Sequence, residues 1–266
     1  MANNNDGENT MQPYRFSGSP RAFAHVLGTI IVCLLCANTV GLIFRFGFGH
    51  DHVLGLVPLF DVDTEGNIPT FFSVAMALFS VVLFTIIALD ARHRASIEAR
   101  YWFVLAAGFL FLSYDEAFQV HERMTAPMRA ALGGIDLGFL HYAWVVPALG
   151  AVLVATLFFF RFLLRLPSAT RRRMLTAGAL FLGGCIGMEL INGRHFASHG
   201  DTLFYNVLVM MEEGLEMAGL ATLIHALVSH IAESGDKLEF DLHANQAAPV
   251  ATPALVEAPH LAKRVG

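Results

Sequence analysis

Six stretches of this 266-residue chain are each long and apolar enough to cross a bilayer as a helix, and no other feature restricts the fold as much. A span takes about 20 mostly apolar residues. Residues 23–46, 69–89, 101–121, 142–164, 174–191 and 203–231 meet that requirement. Hydrophobic residues make up 55% of the chain and charged residues 15%, with a mean hydropathy of +0.56, which is a polytopic membrane composition. The expected fold class is all-α, a bundle of six transmembrane helices over residues 21–231. Residues 1–20, rich in Asn, Gly and Ser, and residues 232–266, polar and then rich in Ala and Pro, read as disordered tails.

The first span reads as retained, because it has spanning length and no small-x-small cleavage site follows it. Leu34 and Leu35 before Cys36 argue against a lipidated cysteine. Cys33, Cys36 and Cys185 all sit in apolar runs, which speaks against a disulfide scaffold. The Cys33-x-x-Cys36 pair lacks the bases or helix N-terminus that activate a redox thiol, so it reads as core filling.

Basic residues set the expected orientation, since they collect on the cytoplasmic side of short loops. In a six-span layout thirteen fall on the side of the termini: Arg15, Arg21, Arg92, Arg94, Arg100, Arg161, Arg165, Arg171, Arg172, Arg173, Lys237, Lys263 and Arg264. Four fall opposite: Arg45, Arg123, Arg129 and Arg194. Both termini are therefore expected in the cytoplasm, with the chain a multi-pass protein of a bacterial inner membrane. Tyr101, Trp102, Tyr142, Trp144 and Tyr205 start spans, where interfacial aromatic belts are expected. No basic stripe points to nucleic acid, and the net charge of −5 carries little weight because acids and bases are segregated by position. The partner implied is the lipid bilayer, with a lipid-linked substrate for any enzyme activity.

The chemistry lies in acids that such spans do not ordinarily carry. Asp115, Glu116, His121 and Glu122 end the third span, Glu189 and Asn192 lie near the outer end of the fifth, and Glu212, Glu213 and Glu216 occupy the outer half of the sixth. All fall at one depth. Residues three, four or seven apart share a helix face. Asp115, Gln119 and Glu122 form one stripe; Cys185, Glu189 and Asn192 a second; Tyr205, Glu212, Glu216 and Gly219 a third. His121 lies about 100° from Glu122 on a continuous helix, so it joins that pocket only if the helix ends or unwinds near Val120. In the sixth span twelve Leu, Ile, Val and Phe residues supply about −4 to −7 kcal/mol toward insertion, whereas three ionised acids cost about 7 to 10. Protons, arginines, water or metal must offset that cost. Arg123 and Arg194 are too few to do so.

Acids and imidazoles on facing helices are how bundles build metal sites, most often from Glu-x-x-His pairs. This chain has Glu-Glu-x-x-Glu and Asp-Glu-x4-His-Glu instead, a variant of that form. The expected ligands of a divalent ion, iron or zinc, are Asp115, Glu116, His121, Glu189, Glu212 and Glu216, with Glu122 and Glu213 as candidate general bases. The function expected is a metal-dependent membrane enzyme, hydrolytic or of the di-iron type. The alternatives are a proton or cation transporter using the same carboxylates, and a non-catalytic sensor or assembly partner.

Asn67-Ile68-Pro69-Thr70-Phe71-Phe72-Ser73, Phe111 to Ala117 through His121-Glu122, and Glu212 to Gly219 together resemble a family of uncharacterised bacterial multi-pass membrane proteins. The likeness covers the six-span core and not the tails. It implies that these acids are the family's signature and brings no activity with it.

Four further motifs carry weaker signals. His195 and His199 have the i, i+4 spacing of a zinc pair. With His121, Ser113 and Asp115 they resemble the zinc site of membrane hydrolases related to alkaline ceramidases, but that group has seven spans and carries its pair inside the last, whereas here the pair is expected in an outer loop. Asp61 to Gly66 opens like a calcium loop, yet Phe72 stands where the bidentate glutamate belongs, so a polar turn capping the second span is expected. Gly183, Gly184 and Gly187 predict a close helix contact near Glu189. His225 and His230 read as interface residues, and Arg171 to Arg173 as a topology anchor.

Overall fold

The computed structural model describes residues 19–134 and 138–234, all within one compact unit, Ser17–Asp236. Apart from their innermost residues, the two expected tails lie outside the described residues, as do Arg15, Lys237, Lys263 and Arg264 of the charge count. Every regular element among the described residues is helical.

Helix α1 (Pro20–Leu42) starts on a proline, whose fixed φ suits a first turn, and winds into a π turn at Ile43–Gly47. A short helix α2 (Leu56–Phe60) and a polar turn lead to α3 (Ile68–His93). The turn is tied by one residue, Asn67. Its Oδ1 accepts from the Thr70 amide at 3.3 Å, capping α3, and its Nδ2 donates to the carbonyls of Asp61 at 2.6 Å and Thr64 at 2.7 Å. The polar cap expected at Asp61 to Gly66 is thus present, with the Asp63 amide donating to Asp61 Oδ1 at 3.1 Å.

Helix α4 (Ala99–Phe118) is followed by α5 (Val120–Ala131) across an 81° bend. Then come α6 (Val145–Arg165), α7 (Ser168–Leu182), a π turn at Gly183–Met188 leading into α8 (Glu189–His199), and α9 (Leu203–Glu233), capped by Thr202 Oγ1 on the Tyr205 amide at 3.1 Å. Five helices are long and apolar enough to cross a membrane alone: Pro20–Gly47, Ile68–His93, Val145–Arg165, Ser168–His199 and Leu203–Glu233. The expected third span qualifies only as the bent pair α4 and α5, because Asp115 and Glu116 fall at the end of α4 and leave it short of the apolar length a span needs.

Helix α9 is the centre of the bundle. More than half of its apolar window, 56%, is buried, against 11% for α6 and for the α7–α8 rod. Phe84, Trp102, Phe162, Met217, Ile224 and Leu227 fill the core completely. Tyr101 stacks on Phe162 at 5.0 Å and Trp102 meets the same ring edge-on at 5.0 Å. The expected belt aromatics Tyr101, Trp102 and Tyr205 are therefore interior residues, held there by ring contacts and, for Tyr205, by hydrogen bonds. By contrast Leu153, Val154 and Leu157 of α6 lie bare, an exposed apolar face compatible with a membrane protein. Cys33 and Cys36 are also on an outer face of α1, not in the core as expected, because the buried stripe of α1 runs through Ile31, Leu34, Asn38 and Gly41.

The predicted close contact at the glycines is made by Gly184. A Cβ there would meet Glu216 Cγ at 2.7 Å and the Glu212 carbonyl at 2.8 Å. Gly219 answers from α9, where a Cβ would stand 2.6 Å from the Phe181 amide. Two backbones approach this closely only where both lack a side chain. Toward the other end of α9, His230 spans Thr170 Oγ1 at 3.3 Å and the Trp102 ring at 5.4 Å, and His225 Nδ1 meets the Pro20 carbonyl at 3.1 Å. Both join helices inside the bundle.

Candidate functional site

The break between α4 and α5 creates the site. Gln119 adopts a left-handed conformation, φ 55° and ψ 44°, which costs a non-glycine residue about 1–2 kcal/mol. Asp115 holds it in place. One carboxylate oxygen accepts the His121 amide at 2.8 Å, satisfying a backbone donor at the start of α5, and the other meets His121 Nδ1 at 3.0 Å. The stripe expected of Asp115, Gln119 and Glu122 therefore does not exist as a continuous helix face. The condition set by His121 is met instead, since the helix breaks at Gln119, one residue before Val120, and the imidazole turns inward.

With Nδ1 engaged by a carboxylate, the free nitrogen of His121 is Nε2. Glu65, from the turn before α3, and Glu122, from the first turn of α5, bring carboxylate oxygens to this imidazole. One ligand atom from each of the three lies within 4.8 Å of the others, the one such grouping among the described residues. Glu65 Oε2 is buried with no hydrogen-bond partner. Burial pushes the Glu65 carboxyl up to about 7, the charges of Glu116 and Glu122 add to that, and His121 and the Gln119 side chain pull against it.

A second layer stands behind the triad. The His121 ring lies 4.8 Å from that of Trp144, whose Nε1 donates to Glu189 Oε1 at 2.8 Å. Glu189 is within hydrogen-bonding reach of Glu212, which accepts from Asn192 Nδ2 and is itself buried. Glu213 feels most strongly the charges of Glu116, Glu65, Glu189 and Asp63; Glu216 feels those of Glu213, Glu116, Glu189 and Asp115. The π turn that precedes Glu189 re-aims the end of this rod, a change in helical phase that a 3.6-residue count does not anticipate.

At the rim, Tyr205 donates to Asp63 Oδ1 at 3.1 Å and its hydroxyl meets that of Tyr142 at 3.0 Å. Burial is the main reason the Asp63 carboxyl rises to about 6, opposed by the Tyr205 hydrogen bond and helped by Asp61 and Asp201. Arg45 is tied up nearby, 2.5 Å from Asp201 and 3.7 Å from Asp61. Neither Arg123 nor Arg194 forms an ion pair among the described residues, so neither arginine is paired with the inner acids.

Of the six expected ligands, only His121 stands in the grouping that can hold an ion. Asp115 orients it, Glu116 is an electrostatic neighbour, and Glu189, Glu212 and Glu216 belong to the layer behind. Glu122, expected as a base, is a donor of the triad, while Glu213 keeps a position among the acids. Glu65 was missed as a principal residue. Its signal was the Asp61 to Gly66 run on the same expected side as the cluster, explained there by capping alone. His195 and His199 are not in a loop: both lie on α8 with rings stacked at 4.6 Å, and His195 Nε2 bonds Thr202 Oγ1 at 2.8 Å. Neither joins His121 in a ligand grouping among the described residues, so the arrangement of the ceramidase-related hydrolases is not reproduced.

A family described as a domain of unknown function, DUF8692, matches residues 24–231, and the chain belongs to that family. The match takes in every residue of the site and stops short of both tails. No curated protein and no solved structure matches the chain.

Proposed function

We propose that this protein is a membrane-embedded, metal-dependent enzyme in which Glu65, His121 Nε2 and Glu122 hold one divalent ion. The observation that carries the reading is the Asp115–His121 contact at 3.0 Å beside two carboxylates. A carboxylate that fixes one imidazole nitrogen and leaves the other exposed is the usual outer support of a metal-bound histidine. Imidazole with two carboxylates suits zinc, iron or manganese. The buried Glu65 Oε2 without a partner fits the same role, because an ion supplies what no donor does.

Three protein donors leave a coordination position open, which distinguishes a catalytic site from a closed structural one. A divalent ion bound there supplies Lewis acidity and a water of lowered pKa. Glu213, which feels the charges of Glu116, Glu65 and Glu189, is the candidate general base. A lipid-linked ester or phosphoester reaching the site from the bilayer is the substrate class this reading takes. Both termini lie in the cytoplasm in this reading, on the thirteen-to-four bias of basic residues, and the membrane is a bacterial inner membrane.

Elemental analysis of protein purified without chelator tests it. Wild type retains a transition ion or zinc, and His121→Ala and Glu65→Gln lose the ion of this site. Wild type that is folded yet holds less than about a tenth of an equivalent overturns the reading. A proton or cation pathway through the same acids draws support from the Glu189–Glu212 contact; gradient-driven uptake in liposomes, unchanged by His121→Ala, would favour it.

A further inference from the structure

We infer that Glu189, Glu212 and Asn192 form a second cation site, separate from the triad and built only of oxygen ligands. It uses different residues and stands on different observations, although an ion at each position would make the centre a two-metal one.

The first observation is a contact between two carboxylates. Glu189 and Glu212 are within hydrogen-bonding reach, which like-charged groups hold only with a proton or a cation between them. Each is already oriented by a neutral donor: Trp144 Nε1 holds Glu189 Oε1 at 2.8 Å, and Asn192 Nδ2 holds Glu212 Oε2. Glu189 Oε2 and Glu212 Oε1 are not taken up by these two bonds.

The second observation separates the proton from the cation. Asn192 is 1% exposed, and its Oδ1 has no hydrogen-bond partner. Its amide is joined to Glu212 through Nδ2, so the orphaned oxygen belongs to a group already docked on the carboxylate pair. A proton shared by Glu189 and Glu212 satisfies those two groups and leaves Asn192 Oδ1 without a partner. A cation shared by the two carboxylates would give Asn192 Oδ1 a partner as well. Buried acceptors are nearly always satisfied, so the arrangement that satisfies three is favoured over the one that satisfies two.

The backbone is built to allow it. Gly184 lets α9 approach until a Cβ would stand 2.8 Å from the Glu212 carbonyl, and the π turn at Gly183–Met188 sets the phase that brings Glu189 and Asn192 to face it. Two carboxylates and an amide oxygen, with no nitrogen or sulfur, select a hard divalent ion, manganese or magnesium, over a soft one.

Manganese binding by purified full-length protein in lipid nanodiscs, counted by equilibrium dialysis and by the spin-resonance signal of the free ion, tests the inference. Wild type is expected to hold about two ions per chain and Glu212→Gln about one. Asn192→Ala is expected to lower the count likewise, whereas Asn192→Asp, which keeps an oxygen at that position, retains both ions. His121→Ala removes the other ion. If Glu212→Gln and Asn192→Ala both hold what wild type holds, with a folded elution profile, and only His121→Ala loses an ion, this inference fails and the triad stands. If His121→Ala leaves the count unchanged while Glu212→Gln lowers it, the triad fails and this site stands.

Discussion

Replacing Asp115 by Asn is the most direct probe of how the bend makes the site. The substitution keeps size and an acceptor for the His121 amide, now bonded at 2.8 Å, and removes the negative oxygen that meets His121 Nδ1 at 3.0 Å. A hydrogen bond to a charged group is worth about 1.5–3 kcal/mol. The loss of an outer-support carboxylate lowers metal affinity by about 10- to 100-fold, which at about 1.4 kcal/mol per decade is the same range, roughly 1.4–2.8 kcal/mol. The agreement has a physical basis, because one contact both orients the imidazole and raises its basicity. Gln119 adds a stability term: its left-handed backbone costs about 1–2 kcal/mol and is retained only while Asp115 bridges the break. Asp115→Asn should therefore bind zinc about 10- to 100-fold more weakly in competition with a chromophoric chelator, with a smaller loss of stability in a denaturing-detergent titration. Asp115→Ala, which also orphans the His121 amide, should lose about 1–2 kcal/mol more stability than Asp115→Asn. Zinc affinity of Asp115→Asn within about twofold of wild type would refute the role given to this contact.

Three further outcomes follow from the same geometry. Asp63 and Glu65 have folded-state pKa values raised from 3.8 to about 6 and from 4.5 to about 7. Their protonated forms are favoured by folding, so this contribution is fully present below about pH 4 and is lost as pH rises through about 6 and 7, up to about 3 kcal/mol each in metal-free protein; thermal midpoints in chelator at pH 4.5 and 7.5 should differ less in an Asp63→Asn, Glu65→Gln variant than in wild type, and equal differences would contradict it. Asn67→Ala removes the α3 cap and two carbonyl bonds from the turn that carries Glu65, so it should cost about 1–2 kcal/mol of stability and weaken zinc binding with it, and loss of stability alone would show that the turn does not position Glu65. Gly219→Ala puts a Cβ 2.6 Å from the Phe181 backbone and should destabilise by about 1–3 kcal/mol in the same titration, whereas an unchanged midpoint would mean that α7 and α9 are not held this close.

The long apolar helices and their approximate ends were legible because both depend on local composition. An apolar run of spanning length becomes a helix whatever its neighbours, and the polar turn ending at Asn67 caps the second of them by its own chemistry. What escaped the sequence depends on helical phase and on partners distant in the chain. A strict 3.6-residue period carried Gln119 and Glu122 onto the stripe of Asp115, but one left-handed residue at 119 ended the helix and turned His121 inward. A π turn likewise re-aimed Glu189 and Asn192. Glu65 looked like part of a helix cap until the tertiary arrangement brought it to an imidazole 56 positions away. Tyr101, Trp102 and Tyr205 had the composition of an interfacial belt and are buried in the bundle, held by ring contacts and hydrogen bonds across helices. Composition alone determined that this chain must find something to offset buried acids, since the cost of charge in lipid is a property of each residue. Only the tertiary structure decided which acids face which donors, since that depends on where helices break and how closely glycines let them approach.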